Sequence, residues 1–372
     1  MAGSQSASLE TATATAAQAL PAASVRSSTR VLYLDVLRAL AGVCVIFIHT
    51  TADLLYQVSA FHTTAWRLAL ILNVASRWCV PAYVMLSGAF LLDYRRRYTT
   101  REFYSKRFAK VAVPFVAWTV IYLVWSAVTG VYHIHSLSDV LAHTVAAPAM
   151  YHLWFFYMIL GLYAVTPILS LITQSASRPL LWAFVVVCFT GSALGLVAKF
   201  SGHSIYGTAF TPSLSYVGYF VLGWLLRNQP LHIGFRALIY VLGAVSIVLT
   251  AALTMQLSLS KQVLDTSLLD YQLPAILFES VAVFVFIRSL PWERILSWRL
   301  LLWLVQTLAL SSFGIYLAHV LLKYYVNQYT AASLLPIDST RYILLGAPLI
   351  YVLTAVIVVI ARRLPWSYWL IP

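Results

Sequence analysis

Hydrophobic residues occur along this chain in ten long stretches, which short polar connections separate. Most stretches approach the roughly 20 apolar residues that an α-helix needs to cross a bilayer. The pattern predicts an all-α polytopic membrane protein with about ten transmembrane helices. The predicted spans cover residues 31–52, 66–92, 108–128, 152–173, 180–198, 213–226, 235–257, 271–290, 301–322 and 341–361, and the sixth is short.

Composition supports this assignment, and the basic residues add an orientation. Hydrophobic residues make up 61% of the chain, charged residues only 9%, and the net charge is +13. With both termini in the cytoplasm, most Lys and Arg fall on the cytoplasmic side, as in other membrane proteins. Outside the membrane on the opposite side lie only Arg67, Lys199, Lys261, Lys323 and Arg341. The charge is therefore an orientation signal, and no nucleic acid partner is indicated.

The remaining segments indicate one membrane domain with an N-terminal tail. Residues 1–28 are rich in Ala, Ser and Thr and lack the apolar core of a signal peptide, which predicts a disordered cytoplasmic tail. The rest, 29–372, is the predicted transmembrane domain. Cys44, Cys79 and Cys188 all fall within predicted spans, so neither a disulfide framework nor a metal site is expected. Any chemistry must take place in the helical bundle or at its ends.

Three ionisable residues share one face of the first span. Because an α-helix turns about 100° per residue, His49 returns to within about 20° of Arg38, roughly 16 Å further along. Asp35 lies one turn before Arg38 on the same face. Ionisable groups are costly in hydrocarbon, and those that occur usually face a bundle interior or a substrate path. The stripe therefore predicts a site.

Other polar residues within the spans extend this picture. Arg77 lies near the middle of the second span, and Glu279 of the eighth span is a candidate counter-ion for it or for Arg38. His152 begins the fourth span and His319 lies near the outer end of the ninth, at the level predicted for His49. We expect a cationic inner path that leads to a histidine-lined outer site. Trp154 and other tryptophans near span ends are typical of an interfacial aromatic belt.

The motifs around these residues resemble those of the membrane-bound acyltransferase 3 family. The resemblance rests on Asp35-x-x-Arg38, Arg38-x10-His49, Arg77-x-x-Val80-Pro81 followed by Ser87-Gly88, the basic segment Lys106-Arg107-x-x-Lys110 before Pro114, Tyr151-His152-Leu153-Trp154-Phe155, and Ser312-Phe313-Gly314-Ile315-Tyr316-Leu317-x-His319. Members of this family transfer acetyl and other short acyl groups to surface glycans. By motif, the chain is most similar to the stand-alone bacterial subgroup of the enterobacterial common antigen O-acetyltransferase.

The resemblance implies that the acyl donor is acetyl-CoA, a substrate rather than a bound cofactor. Arg107 and Lys110 would hold its phosphates, and Arg38 and Arg77 would draw in the pantetheine arm. Family members often carry Arg at the position of Lys110, which keeps the charge but not the bidentate geometry of a guanidinium.

The same resemblance, together with the buried polar stripe, suggests how the transfer would run. His49 would act as general base on a sugar hydroxyl, because a near-neutral imidazole suits that role. Asp35 would orient Arg38. An arginine, Tyr316 or a backbone donor would stabilise the oxyanion, and sequence does not choose among them. A covalent acyl-histidine, or an acyl-serine on Ser87, is an open alternative.

We therefore expect an O-acetyltransferase of the bacterial inner membrane. Its partners would be acetyl-CoA, membrane lipids, and a surface glycan or lipid-linked oligosaccharide, with a polysaccharide assembly complex as a further candidate. Three alternatives stay open: a different acyl group such as succinyl, a secondary transporter or flippase of glycan precursors, and a structural subunit of a polysaccharide synthesis complex.

Overall fold

The protein is described by a computed structural model that covers residues 31–131, 136–142, 144, 147–201, 212–330, 336 and 339–372. The predicted tail, 1–28, lies outside these residues. Within them the chain is all-helical, as predicted, and contains no strand. The α-helices are α1 Leu32–Leu55, α2 Thr64–Ala75, α3 Cys79–Leu91, α4 Thr100–Arg107, α5 Val113–Thr129, α6 Leu137–Leu141, α7 Trp154–Ser175, α8 Arg178–Ser201, α9 Pro212–Asn228, α10 Ile233–Lys261, α11 Pro274–Ser289, α12 Trp292–Ile295, α13 Arg299–Thr330 and α14 Ala347–Ala361.

The helices account for the membrane spans that the hydropathy pattern predicts. Eight helical segments of the described chain are long and apolar enough to cross a bilayer. The other two predicted spans correspond to α9, with 17 residues, and α11, with 16, which are shorter than a typical span. The protein is therefore a polytopic membrane protein.

Helix α1 lies inside the bundle rather than at its surface. It packs against α13, α2, α3 and α14, and residues on several of its faces are buried, including Leu37, Ala41 and Ile46. A helix that is apolar on most faces is typical of a buried position. The ionisable residues of α1 therefore face other helices rather than lipid.

The second predicted span, 66–92, is divided into two helices. Helix α2 ends at Ala75, α3 begins at Cys79, and Arg77 lies in the turn between them. Pro81 has no N–H to donate to the carbonyl group of Arg77, so a regular helix cannot continue through this point. This interruption places Arg77 at the level where α2 ends and α3 begins. The predicted span is confirmed as one membrane-crossing segment, Thr64–Arg96, but its interruption at residues 76–78 was not predicted.

Helix α3 packs closely against α9 through two glycines. A Cβ atom on Gly88 would lie 1.8 Å from the carbonyl oxygen of Phe220, and one on Gly223 would lie 2.0 Å from that of Met85. Small residues allow the backbones of membrane helices to approach in this way. Gly88 of the Ser87-Gly88 motif therefore allows α3 to pack closely against α9.

A π-helical turn, Phe108–Ala112, joins α4 to α5 at the predicted cytoplasmic end. The turn ends shortly before Pro114, which cannot donate the next intrahelical hydrogen bond. Such turns shift the register of a helix and often occur at functional sites. Here the turn lies directly after Arg107 and contains Lys110.

Candidate active site

An internal cavity of about 290 Å³ collects most of the predicted site residues. The predicted residues that line it are Arg38, His49, Ser87, Arg107, Lys110, His152 and Tyr316. They come from α1, α3, the end of α4, the π-helical turn that follows it, the 3₁₀ turn before α7, and α13. The tertiary structure thus brings together side chains that are distant in sequence.

His49 lies where this inner cavity meets a second one. The outer cavity, of about 610 Å³, is lined by His49, Asp53, Asn73, Arg77 and Lys323 among other residues. His49, Ile48, Trp154 and Tyr271 line both cavities. His49 is therefore shared by the linings of both cavities.

Three histidine rings contact one another at this junction. The ring of His49 lies 5.0 Å from that of His319 and 6.3 Å from that of His152, and His152 and His319 are 5.2 Å apart between centroids. Tyr151 stacks on His49 with centroids 5.0 Å apart. The predicted cluster of histidines at one level is confirmed, although its catalytic role stays a prediction.

Hydrogen bonds from α13 constrain two members of this cluster. The main-chain carbonyl of Tyr316 lies 2.7 Å from Nδ1 of His319, and because a carbonyl only accepts, Nδ1 carries the proton. In the neutral ring, Nε2 of His319 is then an acceptor. The hydroxyl group of Tyr316 donates to the main-chain carbonyl of His152. Because the hydroxyl hydrogen of Tyr316 is already donated to this carbonyl, Tyr316 is a less suitable oxyanion donor than the sequence alone indicated.

An ion pair at the outer end of α1 was missed by sequence reasoning. Lys323 of α13 is buried, donates to the main-chain carbonyl of His49 at 2.7 Å and forms an ion pair with Asp53 at 2.6 Å. Lys323 was predicted to lie outside the membrane helices, whereas α13 continues to Thr330. The sequence offered two signals. Asp53 is an acidic residue four positions after His49, and Lys323 is a lysine close to the end of an apolar segment.

Arg77 is held by partners other than the one predicted. Its guanidinium group donates to Oδ1 of Asn73, at 2.9 and 3.1 Å, and to the main-chain carbonyl of Leu269. It also lies over the ring of Tyr271, 5.3 Å from the centroid. Glu279 is buried, lines neither cavity, and forms no direct ion pair with Arg38 or Arg77 within the described chain. Glu279 interacts with Arg77 only at longer range, without the direct ion pair of a close counter-ion, so its counter-ion role stays a prediction.

The inner end of the cavity is cationic and partly aromatic. Arg38 lies over the ring of Phe90, 5.5 Å from its centroid, and Arg107 and Lys110 line the same end. Nε of Arg107 is buried and has no hydrogen-bond partner in the part of the chain that the structure describes. Asp35 is buried one turn before Arg38 and does not line the cavity, so its orienting role stays a prediction.

The described residues contain no group of three or more His, Cys, Asp and Glu arranged to hold a metal ion. The cysteines Cys44, Cys79 and Cys188 are unpaired thiols. The side chains that line the inner cavity can supply acid–base catalysis, through His49, and anion binding, through Arg38, Arg107 and Lys110.

Comparison with protein families agrees with this chemistry. Residues 31–362 match the model of the acyltransferase 3 family, which is described as an acyltransferase domain. The match includes every helix that lines the two cavities. Comparison with curated proteins and with solved structures gives no match. With its transmembrane helices and this family match, the chain belongs to the acyltransferase 3 family and is a membrane acyltransferase.

Proposed function

We propose that the protein is an O-acetyltransferase that moves an acetyl group from cytoplasmic acetyl-CoA to a hydroxyl group of an extracytoplasmic polysaccharide or its lipid-linked precursor. The observation that carries this proposal is the position of His49, which lines both the inner cationic cavity and the outer cavity. A donor from one side and an acceptor from the other would meet at this imidazole. The bacterial inner membrane is the location that such a reaction requires.

The cationic end supports binding of an anionic donor. Acetyl-CoA carries several phosphate groups, and arginine and lysine side chains bind phosphate through charge-assisted hydrogen bonds. Arg107 offers an Nε that has no hydrogen-bond partner among the described residues, and Lys110 lies on the π-helical turn beside it. Arg38 lies deeper, about 16 Å before His49 along α1. The thioester would then extend through the cavity toward His49.

The transfer itself would need one base and one acid, and His49 can serve as both. The imidazole accepts the proton of the acceptor hydroxyl as that oxygen attacks the acetyl carbonyl carbon. The C–S bond then breaks, and the coenzyme A thiolate takes the proton from the imidazolium. The product is an acetyl ester, and coenzyme A leaves toward the cytoplasm. Water exclusion by the surrounding aromatic residues would limit hydrolysis of the thioester.

The test is the acyl content of surface polysaccharide from a deletion strain that expresses wild-type protein or single variants. We expect acetyl signals in the proton NMR spectrum with wild type and their loss with His49→Ala and with Arg38→Ala. His62→Ala and Arg294→Ala are matched controls, because both residues are exposed and line neither cavity. Full acetylation with His49→Ala, at normal expression, would refute the proposed site. Succinyl instead of acetyl signals would identify another acyl donor.

One observation favours the transporter alternative enough to include it in the test. The interruption between α2 and α3 at Arg77 is of the kind that secondary transporters use at substrate sites. A transporter or flippase predicts that deletion lowers polymer export and leaves acylation of the remaining polymer unchanged. An acyltransferase predicts that deletion abolishes acylation and leaves polymer export unchanged.

A further inference from the structure

A groove in the outer half of the bundle lies beside the proposed site but takes no part in the chemistry described above. It has a volume of about 890 Å³ and runs between α7 and α9. Its apolar lining includes Met158, Gly161, Leu162, Val165 and Val217. Val165 is exposed although it lies about 16 Å along α7 from Trp154. In a membrane-spanning helix, an exposed apolar residue at that depth would face the lipid hydrocarbon.

The outer end of this groove is polar and aromatic. The rings of Trp154 and Tyr271 are nearly parallel, with centroids 6.0 Å apart, and Tyr216 lies 6.1 Å from Trp154. Arg77 and Asp270 also line this end. Trp154, Tyr271 and Arg77 line the outer cavity that contains His49 as well. The groove and the proposed acceptor side of the active site are therefore adjacent and share these three residues.

Arg77 is positioned to bind an anion at this junction. Three of its N–H groups donate to Asn73 and Leu269 within the described chain, which fixes the side chain in place. A guanidinium group has five N–H donors, so others are available for a ligand. Asp270 is the acidic residue of the lining, and its Oδ1 accepts from the backbone N–H of Gln272 at 2.9 Å. Its carboxylate suits a hydroxyl donor rather than a phosphate.

Three chemical features thus follow one another along the groove. An apolar channel open to lipid suits a hydrocarbon chain, and a fixed guanidinium suits a phosphate. Aromatic faces suit a sugar, because its C–H groups are weakly positive and pack on the negative face of the ring. We propose that this groove binds the acceptor as a lipid-linked saccharide, a polyprenyl phosphate carrier that enters from the bilayer between α7 and α9.

This inference rests on the proposed function and narrows its acceptor. A finished polymer would have no hydrocarbon chain to occupy the groove. A lipid-linked precursor would place its phosphate at Arg77 and its sugar against Trp154 and Tyr271, next to His49. The acceptor hydroxyl would then reach the imidazole without leaving the membrane surface.

Gly161 offers a way to block the groove without disturbing the packed core. A Cβ atom built on Gly161 meets no atom within 4 Å, so a large side chain there would extend into open space. Gly161→Trp is therefore the blocking variant. Ile168→Trp is the matched control, since Ile168 is on the same helix, is 62% exposed and does not line the groove.

The first experiment measures lipid binding to the purified full-length protein by native mass spectrometry. The probes are undecaprenyl phosphate, undecaprenol without the phosphate, and phosphatidylglycerol as a general anionic lipid. We expect wild type and Ile168→Trp to retain undecaprenyl phosphate preferentially. Gly161→Trp should lose roughly tenfold or more in affinity for this lipid, because the hydrocarbon chain of the lipid loses its contact area in the groove. Equal binding by Gly161→Trp, or equal retention of phosphatidylglycerol, would overturn the proposal.

The second experiment separates this inference from the proposed function. Acetyl groups are measured in the lipid-linked fraction of cells in which polymerisation of the glycan is blocked, and in the polymer of cells in which polymerisation is active. We expect them in the lipid-linked fraction with wild type and Ile168→Trp, and not with Gly161→Trp. Acetyl groups on polymer alone would overturn the inference and leave the proposed function intact. Their absence from both fractions, with polymerisation blocked or active, would contradict the proposed function itself.

Discussion

Lys323 donates a hydrogen bond to the main-chain carbonyl of His49, at 2.7 Å, and one to the carboxylate of Asp53, at 2.6 Å. The network continues, because Asn327 donates to Asp53 at 3.3 Å and Tyr342 donates to Asn327 at 2.6 Å. These bonds tie the outer end of α1 to α13 and to the segment before α14. The backbone that carries the candidate base is therefore anchored by a lysine from another helix.

We expect Lys323→Met to slow acyl transfer by roughly tenfold to a hundredfold, while Lys323→Arg keeps part of the activity. Loss of a hydrogen bond to a charged group costs about 1.5–3 kcal/mol, and the substitution also leaves the carboxylate of Asp53 without its ion pair. Transfer of radiolabelled acetyl groups by the protein in liposomes measures the effect, with thermal stability recorded beside it. Wild-type rates for Lys323→Met would show that this anchor is dispensable.

Ser87→Ala is expected to retain most of the turnover, and its main effect should be on the KM for acetyl-CoA. Ser87 lines the inner cavity with Arg107, and it lies about 15 Å along α3 from the break that holds Arg77. That position is on the donor side rather than at the histidine junction. Steady-state kinetics at several acetyl-CoA concentrations test this. A complete loss of transfer by well-expressed Ser87→Ala would instead support the acyl-serine route.

Gly88→Leu and Gly223→Leu should each destabilise the protein strongly. A side chain at either position would meet the backbone of the facing helix, at Phe220 or Met85, and overpacking of this kind costs about 1–3 kcal/mol or more. The measurement is the apparent melting temperature of the purified protein in detergent. Gly161→Ala is the matched control and should melt like wild type, because its Cβ has open space. Unchanged melting of the α3 and α9 variants would contradict the close packing of these helices.

The ion pair between Asp265 and Lys261, at the connection between α10 and α11, should make the stability of the protein depend on pH in acid. The Lys261 side chain and then Ser267 hold the pKa of the Asp265 carboxyl well below its usual range. The pKa of this carboxyl in the folded protein lies below its unfolded value of about 3.9. The ionised carboxylate therefore contributes its full stabilisation above that pH, and this stabilisation is lost as the pH falls further. Melting temperatures measured between neutral pH and about pH 3 should therefore fall less for Asp265→Asn than for wild type.

The control for this series is Glu293→Gln, since Glu293 is exposed in a short helix on the other side of the predicted membrane. It should follow the wild-type curve. Lys261 is about half exposed, so the effect will be modest and will decrease with added salt. Identical acid curves for wild type and Asp265→Asn would contradict the role of this ion pair.

Some features of this protein follow from local sequence alone. The hydrophobicity of a segment depends on its own residues, so the membrane spans and the all-helical fold were predictable. The register of Arg38 and His49 was predictable as well, because helix geometry determines which residues share a face. The interruption of the second span was also signalled in the sequence, by Pro81, but hydropathy averaged over a long window does not detect a single missing N–H.

Other features depended on which helices are neighbours, and only the tertiary structure decided them. Lys323 is charged, so the hydropathy pattern placed it outside the ninth helix. In the folded chain Asp53 pairs with it, and α13 continues past it. Conversely, Glu279 was expected to pair with a buried arginine, whereas Asn73 and Leu269 hold Arg77. A buried polar group must find a partner, but its own sequence neighbourhood does not identify that partner when the partner lies on a helix distant in the chain.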